Sequence, residues 1–162
     1  MPGIIYPYLP EGRSICYVGP DRLFMALAKV YAQRHSLDRV MPNAAVLVKG
    51  SRIIGIGANG SDYHDLHGCR RVELKCRSGE GYELCDGCHP RNHGEAKALQ
   101  SAHSHGHDPR GADLYLWGHW WCCEPCWKLM EAAGIRDVCL LQDSETLFNR
   151  EHPDNIVDRQ FI

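Results

Sequence analysis

The sequence predicts an α/β fold, a three-layer α/β/α sandwich around a mixed central sheet. Helical and strand patterns alternate through the second half of the chain, which calls for a sheet covered by helices. Two short β-branched runs around a glycine-containing turn add an antiparallel hairpin. Both runs are apolar nearly throughout, so they belong in a sheet covered on both faces. With 162 residues, 44% of them apolar and 23% charged, the chain suits a single domain over 1–162 with no internal repeat.

Each element has its own warrant. Pro2, Pro7, Pro10 and Pro20, with several glycines, make the first twenty residues an irregular lead-in. Asp21 is a candidate cap for a helix over 21–35, where Phe24, Leu27, Ala28 and Tyr31 recur at helical spacing. The hairpin pairs 44–48 with 53–57 across 49–52. An alanine-rich run predicts a helix over 92–104. Strands follow at 113–118 and 137–141, on either side of a helix over 123–133 that Gly134 ends. The tail from Gln142 is weakly apolar; Leu147, Phe148, Ile156, Val157 and Phe161 are its docking residues.

The stretch 61–92 departs from this pattern. It has few apolar residues but holds Cys69, Cys76, Cys85, Cys88, His64, His67 and His89. A loop this long in a compact domain needs a function or a staple. Nine cysteines with no export signal in residues 1–5 read as thiols and metal ligands in the reducing cytoplasm, not as a disulfide framework. No run reaches the ~18 apolar residues of a membrane helix. The net charge of −2 gives no electrostatic footprint for nucleic acid.

Two clusters carry chemistry. Cys123-Glu124-Pro125-Cys126 opens a predicted helix and puts two thiols on one face of its first turn, as a tetrahedral zinc requires. The positive end of the helix favours the thiolates. His93-Gly94-Glu95 opens another predicted helix and offers a third ligand. Three protein ligands leave the fourth position to water, the catalytic arrangement, with Glu95 alongside. Either motif alone is weak: a Cys-x-x-Cys is as often redox or structural. A redox pair, however, would leave His93 and Glu95 without a role.

These residues resemble the signature of the zinc-dependent cytidine and deoxycytidylate deaminase superfamily, H-x-E followed by P-C-x-x-C. The similarity runs over about 44–141 and is nearest the deoxycytidylate (dCMP) branch, whose Gly-x-Asn-Gly motif Gly57-Ala58-Asn59-Gly60 is similar to. Gly94 stands where the family has Ala, Cys122 where it has Pro, and Lys97 where the branch has Asn. The resemblance implies the cytidine deaminase-like fold and hydrolysis of dCMP to dUMP and ammonia. His93, Cys123 and Cys126 would be the metal ligands and Glu95 the proton carrier. Asn59, Gly94 and Trp120 are candidates for substrate contact, with Arg91 and Lys97 for phosphate. Cys69, Cys76, Cys85 and Cys88, or three cysteines with a histidine, would make a second, structural zinc site, as in some members of that branch. A nucleotide effector and a homo-oligomer are further implications. Other bases, a nucleoside or a polynucleotide stay open as substrates, as does a non-catalytic zinc module.

Overall fold

The most apolar run of the chain becomes the best-covered strand. In β2 (Ala44–Lys49) the residues Ala44, Ala45, Val46 and Leu47 have no exposed surface at all. The computed structural model describes residues 7–157 except Ser78, together with Arg159. The other elements are β1 (Ile15–Val18), α1 (Leu23–His35), β3 (Arg52–Ala58), α2 (Tyr63–His67), α3 (Arg70–Glu73), α4 (Gly94–Ser104), β4 (Asp113–Trp117), α5 (Glu124–Ala132), β5 (Val138–Leu141) and α6 (Ser144–Phe148). Three short 3-10 turns lie between Tyr82 and Asn92.

The sheet has the order β1-β5-β4-β2-β3. β1, β5 and β4 run parallel, while β2 is antiparallel to both β4 and β3, so the sheet is mixed. β2 and β3 meet across Gly50 and Ser51, whose φ values of 56° and 64° are those a two-residue hairpin turn needs. Parallel β4 and β5 need a crossover, which α5 supplies.

Strand alternation sorts the core into two layers. Ala45, Leu47, Leu114, Leu116 and Leu140 face α4 and α5, meeting Ala98, Ala102, Trp127 and Met130. Their neighbours Ala44, Val46, Tyr115, Trp117 and Leu141 face α1, meeting Met25, Ala28 and Ala32. That is the three-layer sandwich. On the first face α4 lies against bare main chain: a Cβ added at Gly57 would come 2.5 Å from the Ala98 nitrogen. Gly55 meets α4 in the same way at Ala98 and Ala102.

The lead-in is not wholly irregular, because β1 pairs with β5 inside it. An edge strand needs partners on one side only, and β1 buries just Val18, so no apolar pattern marked it. Asp21 does not cap α1; Arg22 stands at the cap, with no side-chain hydrogen bond. The buried stripe of α1 is Met25, Ala28 and Ala32, which Phe24, Leu27 and Tyr31 flank. The tail contains α6 and docks through Leu147, Phe148, Ile156 and Val157. Phe161 and residues 1–5 lie outside the described residues. Among the described residues no helix is long and apolar enough to cross a membrane.

Candidate active site

Two helix starts converge on one point. His93 is the N-cap residue of α4 and Cys123 that of α5, both with extended backbone, and Cys126 sits in the first turn of α5. Pro125 at the first positions of α5 loses no hydrogen bond there. The ligand atoms of His93, Cys123 and Cys126 lie within 4.8 Å of one another. His93 Nδ1 is 3.5 Å from Cys123 Sγ and 3.3 Å from Cys126 Sγ. A tetrahedral zinc with Zn–S ~2.3 Å and Zn–N ~2.0–2.1 Å would separate such donors by about 3.6 Å. The donor set therefore fits this metal.

The imidazole is held for that role. Its Nε2 lies 3.2 Å from the Cys88 carbonyl oxygen, which can only accept, so Nε2 carries the hydrogen and Nδ1 presents its lone pair to the thiols. The Tyr82 ring meets His93 edge-on, with centroids 5.0 Å apart. Burial opposes charge on His93, but its hydrogen bond with Cys123 and the nearby Glu95 raise its pKa. Within the thiol pair Cys123 is the more acidic. Hydrogen bonding with Cys126, and then His93, hold it down at about 4 against the pull of burial.

Glu95 sits in the first turn of α4, 5% exposed, with its carboxyl against the Cys126 thiol. Burial pushes that carboxyl above its ordinary range, against the lowering effect of His93. A cavity of about 100 Å³ opens on these groups, lined also by Asn43, Asn59 and Tyr82. Asn43 Oδ1 is buried and meets no donor among the described residues. A groove of about 470 Å³ adjoins the cavity and carries Arg39, Lys75 and Arg150. The two share Asp38, Met41, His64, Arg71 and Cys88 as walls.

The expected substrate contacts fare differently. Gly94 packs against the start of β2, where a Cβ would stand 2.8 Å from Asn43 Oδ1. Asn59 borders the cavity, but the scaffold uses its side chain. Oδ1 accepts from Ser36 Oγ and the Asn43 nitrogen, and Nδ2 donates to the Met41 carbonyl. Trp120 lines the outer groove, and Trp121 is the indole at the cavity. The His119 ring fixes this order by accepting from the backbone nitrogens of both tryptophans, at 3.0 and 3.2 Å. Burial, and then the charge of His93, drive the His119 pKa down to about 3. Lys97 donates to the Gly60 carbonyl and Arg91 pairs with Asp86, so neither faces the cavity unengaged. Cys122 stays in the core, where burial raises its thiol.

A second cluster gathers His64, Cys69, Cys85 and Cys88, again with ligand atoms within 4.8 Å of one another. Cys76 is not among them, which corrects the four-cysteine set. The chain turns at Lys75, at φ 54°, and carries the Cys76 sulfur toward Gly81. Burial opposes ionisation of Cys85, but its hydrogen bond with His64 brings it down to about 7. Tyr82, Arg71, Trp121 and Asn43 at the site escaped the sequence reading, since no spacing rule ties such residues to a cavity.

Residues 19–142 match the family model described as the cytidine and deoxycytidylate deaminase zinc-binding region. A deoxycytidylate deaminase of Pongo abelii is 31% identical over 128 residues, 78% of this chain and 67% of that protein. The Homo sapiens protein of the same name is 30% identical over the same shares. The apo crystal structure of dCMP deaminase from cyanophage S-TIM5 matches with a TM-score of 0.50 at 23% identity, over 75% of this chain and 82% of that one, a likeness of fold. By this match of sequence and fold, the chain belongs to the cytidine and deoxycytidylate deaminase family of zinc-dependent hydrolytic enzymes.

Proposed function

We propose that this protein deaminates a cytosine nucleotide, dCMP to dUMP with release of ammonia, at His93, Cys123, Cys126 and Glu95. One observation carries the reading. A buried carboxylate stands in the first turn of the same helix whose cap residue is His93, against three donors spaced for three corners of a tetrahedron. The relatives at 30–31% identity, both named deoxycytidylate deaminase, supply the substrate class.

His93, Cys123 and Cys126 would hold the zinc, which when bound supplies a Lewis acid and lowers the pKa of water to roughly 7. Glu95 takes a proton from the attacking water and passes it to ring nitrogen N3 of cytosine. With the water oxygen bonded to C4, Glu95 takes the remaining hydroxyl proton and delivers it to the amine; the C4–N bond breaks as the C4 carbonyl forms, so water is consumed and ammonia released. Asn43 Oδ1 offers the substrate an acceptor that no group among the described residues fills. The adjoining groove, with Arg39, Lys75 and Arg150, favours a substrate that carries phosphate. Trp121 and Tyr82 wall the base.

A cytoplasmic homo-oligomer of single-domain chains, open to a nucleotide effector, belongs to the same proposal; nine free cysteines suit a reducing compartment. The test is ammonia release by the zinc-loaded protein from dCMP, CMP, deoxycytidine, cytidine, guanine and a single-stranded oligonucleotide. The expected result is turnover of dCMP above the rest. Fully metallated protein that releases ammonia from none of them would identify a non-catalytic zinc module instead.

A further inference from the structure

We propose that Asn43 and His119 together grip a hydroxyl of the substrate, the 3′-hydroxyl of its sugar. The inference rests on the deaminase reading, since it takes a cytosine nucleotide as the ligand. Both side chains line the cavity onto which His93 and Glu95 open. The sheet brings them there. Ala44 of β2 pairs with Trp117 of β4, so the residues just beyond that pair, Asn43 and Gly118, meet at the end of the two strands. Gly118, at φ 99°, lies so close that a Cβ on it would stand 2.9 Å from Asn43 Cα. His119 is the next residue.

The main chain of Asn43 is fully engaged. Its nitrogen donates to Asn59 Oδ1 at 2.9 Å, and its carbonyl accepts from the Asn59 nitrogen at 3.0 Å. Its side chain is not engaged. The residue is 7% exposed, yet Oδ1 meets no donor among the described residues. Two glycines clear the space that this residue fills: besides Gly118, Gly94 stands where a Cβ would come 2.8 Å from Oδ1. A buried acceptor that is given room but no protein partner is destabilising in the free chain, and a ligand that donates to it relieves the penalty.

His119 supplies the complementary group. Its Nδ1 accepts from the main-chain nitrogens of Trp120 and Trp121, which can only donate. The hydrogen of the neutral ring therefore sits on Nε2. Nε2 meets no acceptor among the described residues. The cavity thus presents one unmet acceptor and one unmet donor, both uncharged. A substrate group that satisfies the two gives one hydrogen bond and takes one, and a hydroxyl does both. The C2 carbonyl of cytosine and the ring oxygen of the sugar can only accept. Phosphate oxygens suit the cations of the adjoining groove, and N3 and the amine fall to Glu95. dCMP has a single sugar hydroxyl, on C3′.

The experiment compares ammonia release by the zinc-loaded full chain from dCMP and from 2′,3′-dideoxycytidine monophosphate, which lacks only that hydroxyl. The wild type is expected to lose about 10–100-fold in kcat/KM on the dideoxy substrate. Asn43→Ala should lower kcat/KM for dCMP and leave the dideoxy value within about twofold. His119→Asn keeps an oxygen where Nδ1 stands, so the turn at Trp120 and Trp121 holds, and has no atom at the Nε2 position. It too should act on dCMP alone. A purely structural role would lower both substrates alike. Equal kcat/KM for the two substrates in the wild type overturns the inference with no variant involved. So does an equal loss on both substrates in either variant at full metal content. Turnover of neither substrate by the metallated wild type sinks the deaminase reading itself, and this inference with it.

Discussion

The two thiol–imidazole clusters are built from the same side chains in opposite ways. His93, Cys123 and Cys126 stand on the caps and first turns of α4 and α5, helices seated on the sheet. His64, Cys69, Cys85 and Cys88 stand on short helices and turns with little core of their own. The geometry of the first is set by the packing of α4 and α5 on the sheet. The second is a place the ion itself would hold together. The first also has three donors and a carboxylate, the second four donors and none. A scaffold that stays formed without the metal can leave a coordination position vacant for chemistry; a staple cannot.

Metal removal should produce the largest effect and split the two regions. Chelation is expected to abolish ammonia release and to erase amide hydrogen-exchange protection over 61–92, while β2, β4 and β5 keep theirs. Equal loss in both regions would erase the distinction. Glu95→Gln should keep its zinc yet lower kcat by about 10²–10⁴-fold, the usual worth of a positioned proton carrier; metal analysis beside the ammonia assay checks this. Gly57→Ala is expected to push α4 off the sheet, cost about 1–3 kcal/mol in urea unfolding and weaken first-site zinc alone. Asn43→Ala should lower kcat/KM for dCMP about 5–10-fold with unfolding stability unchanged or raised, since Oδ1 meets no donor among the described residues.

The last effect concerns acid. The folded pKa of His119 is about 3, below its ordinary value of 6.5. The unfolded chain therefore binds a proton first as the pH falls. The contribution of His119 to stability is full above 6.5 and is lost progressively as the pH drops toward 3, by at most about 1.4 kcal/mol per pH unit. His119→Gln, whose amide oxygen can still accept, should flatten urea midpoints between pH 6.5 and 5 relative to the wild type.

The sequence disclosed what periodicity and spacing encode. The β2–β3 hairpin, α4, β4, α5 and β5 fell within a few residues of their places because each has a dense apolar pattern or a cap. Cys-x-x-Cys and His-x-Glu were legible because a helical turn converts short spacing into proximity. β1 was missed because its pairing is a main-chain affair at a sheet edge. His64 replaced Cys76 because irregular backbone has no period from which to read direction; one left-handed residue, Lys75, sufficed to turn that thiol elsewhere. Trp120 and Trp121 traded places for the same reason, at the turn His119 pins.

The glycines of β3 have a consequence for how such a protein can change. Because α4 rests on peptide groups, its height above the sheet is set by atoms every sequence shares. Substitutions in the opposite layer, around Met25 or Phe148, can accumulate without tilting the carboxylate. The height of the carboxylate is thus insulated from drift on the far side of the molecule, whereas Trp121, which shares the core of that layer, passes such drift on to the wall of the cavity.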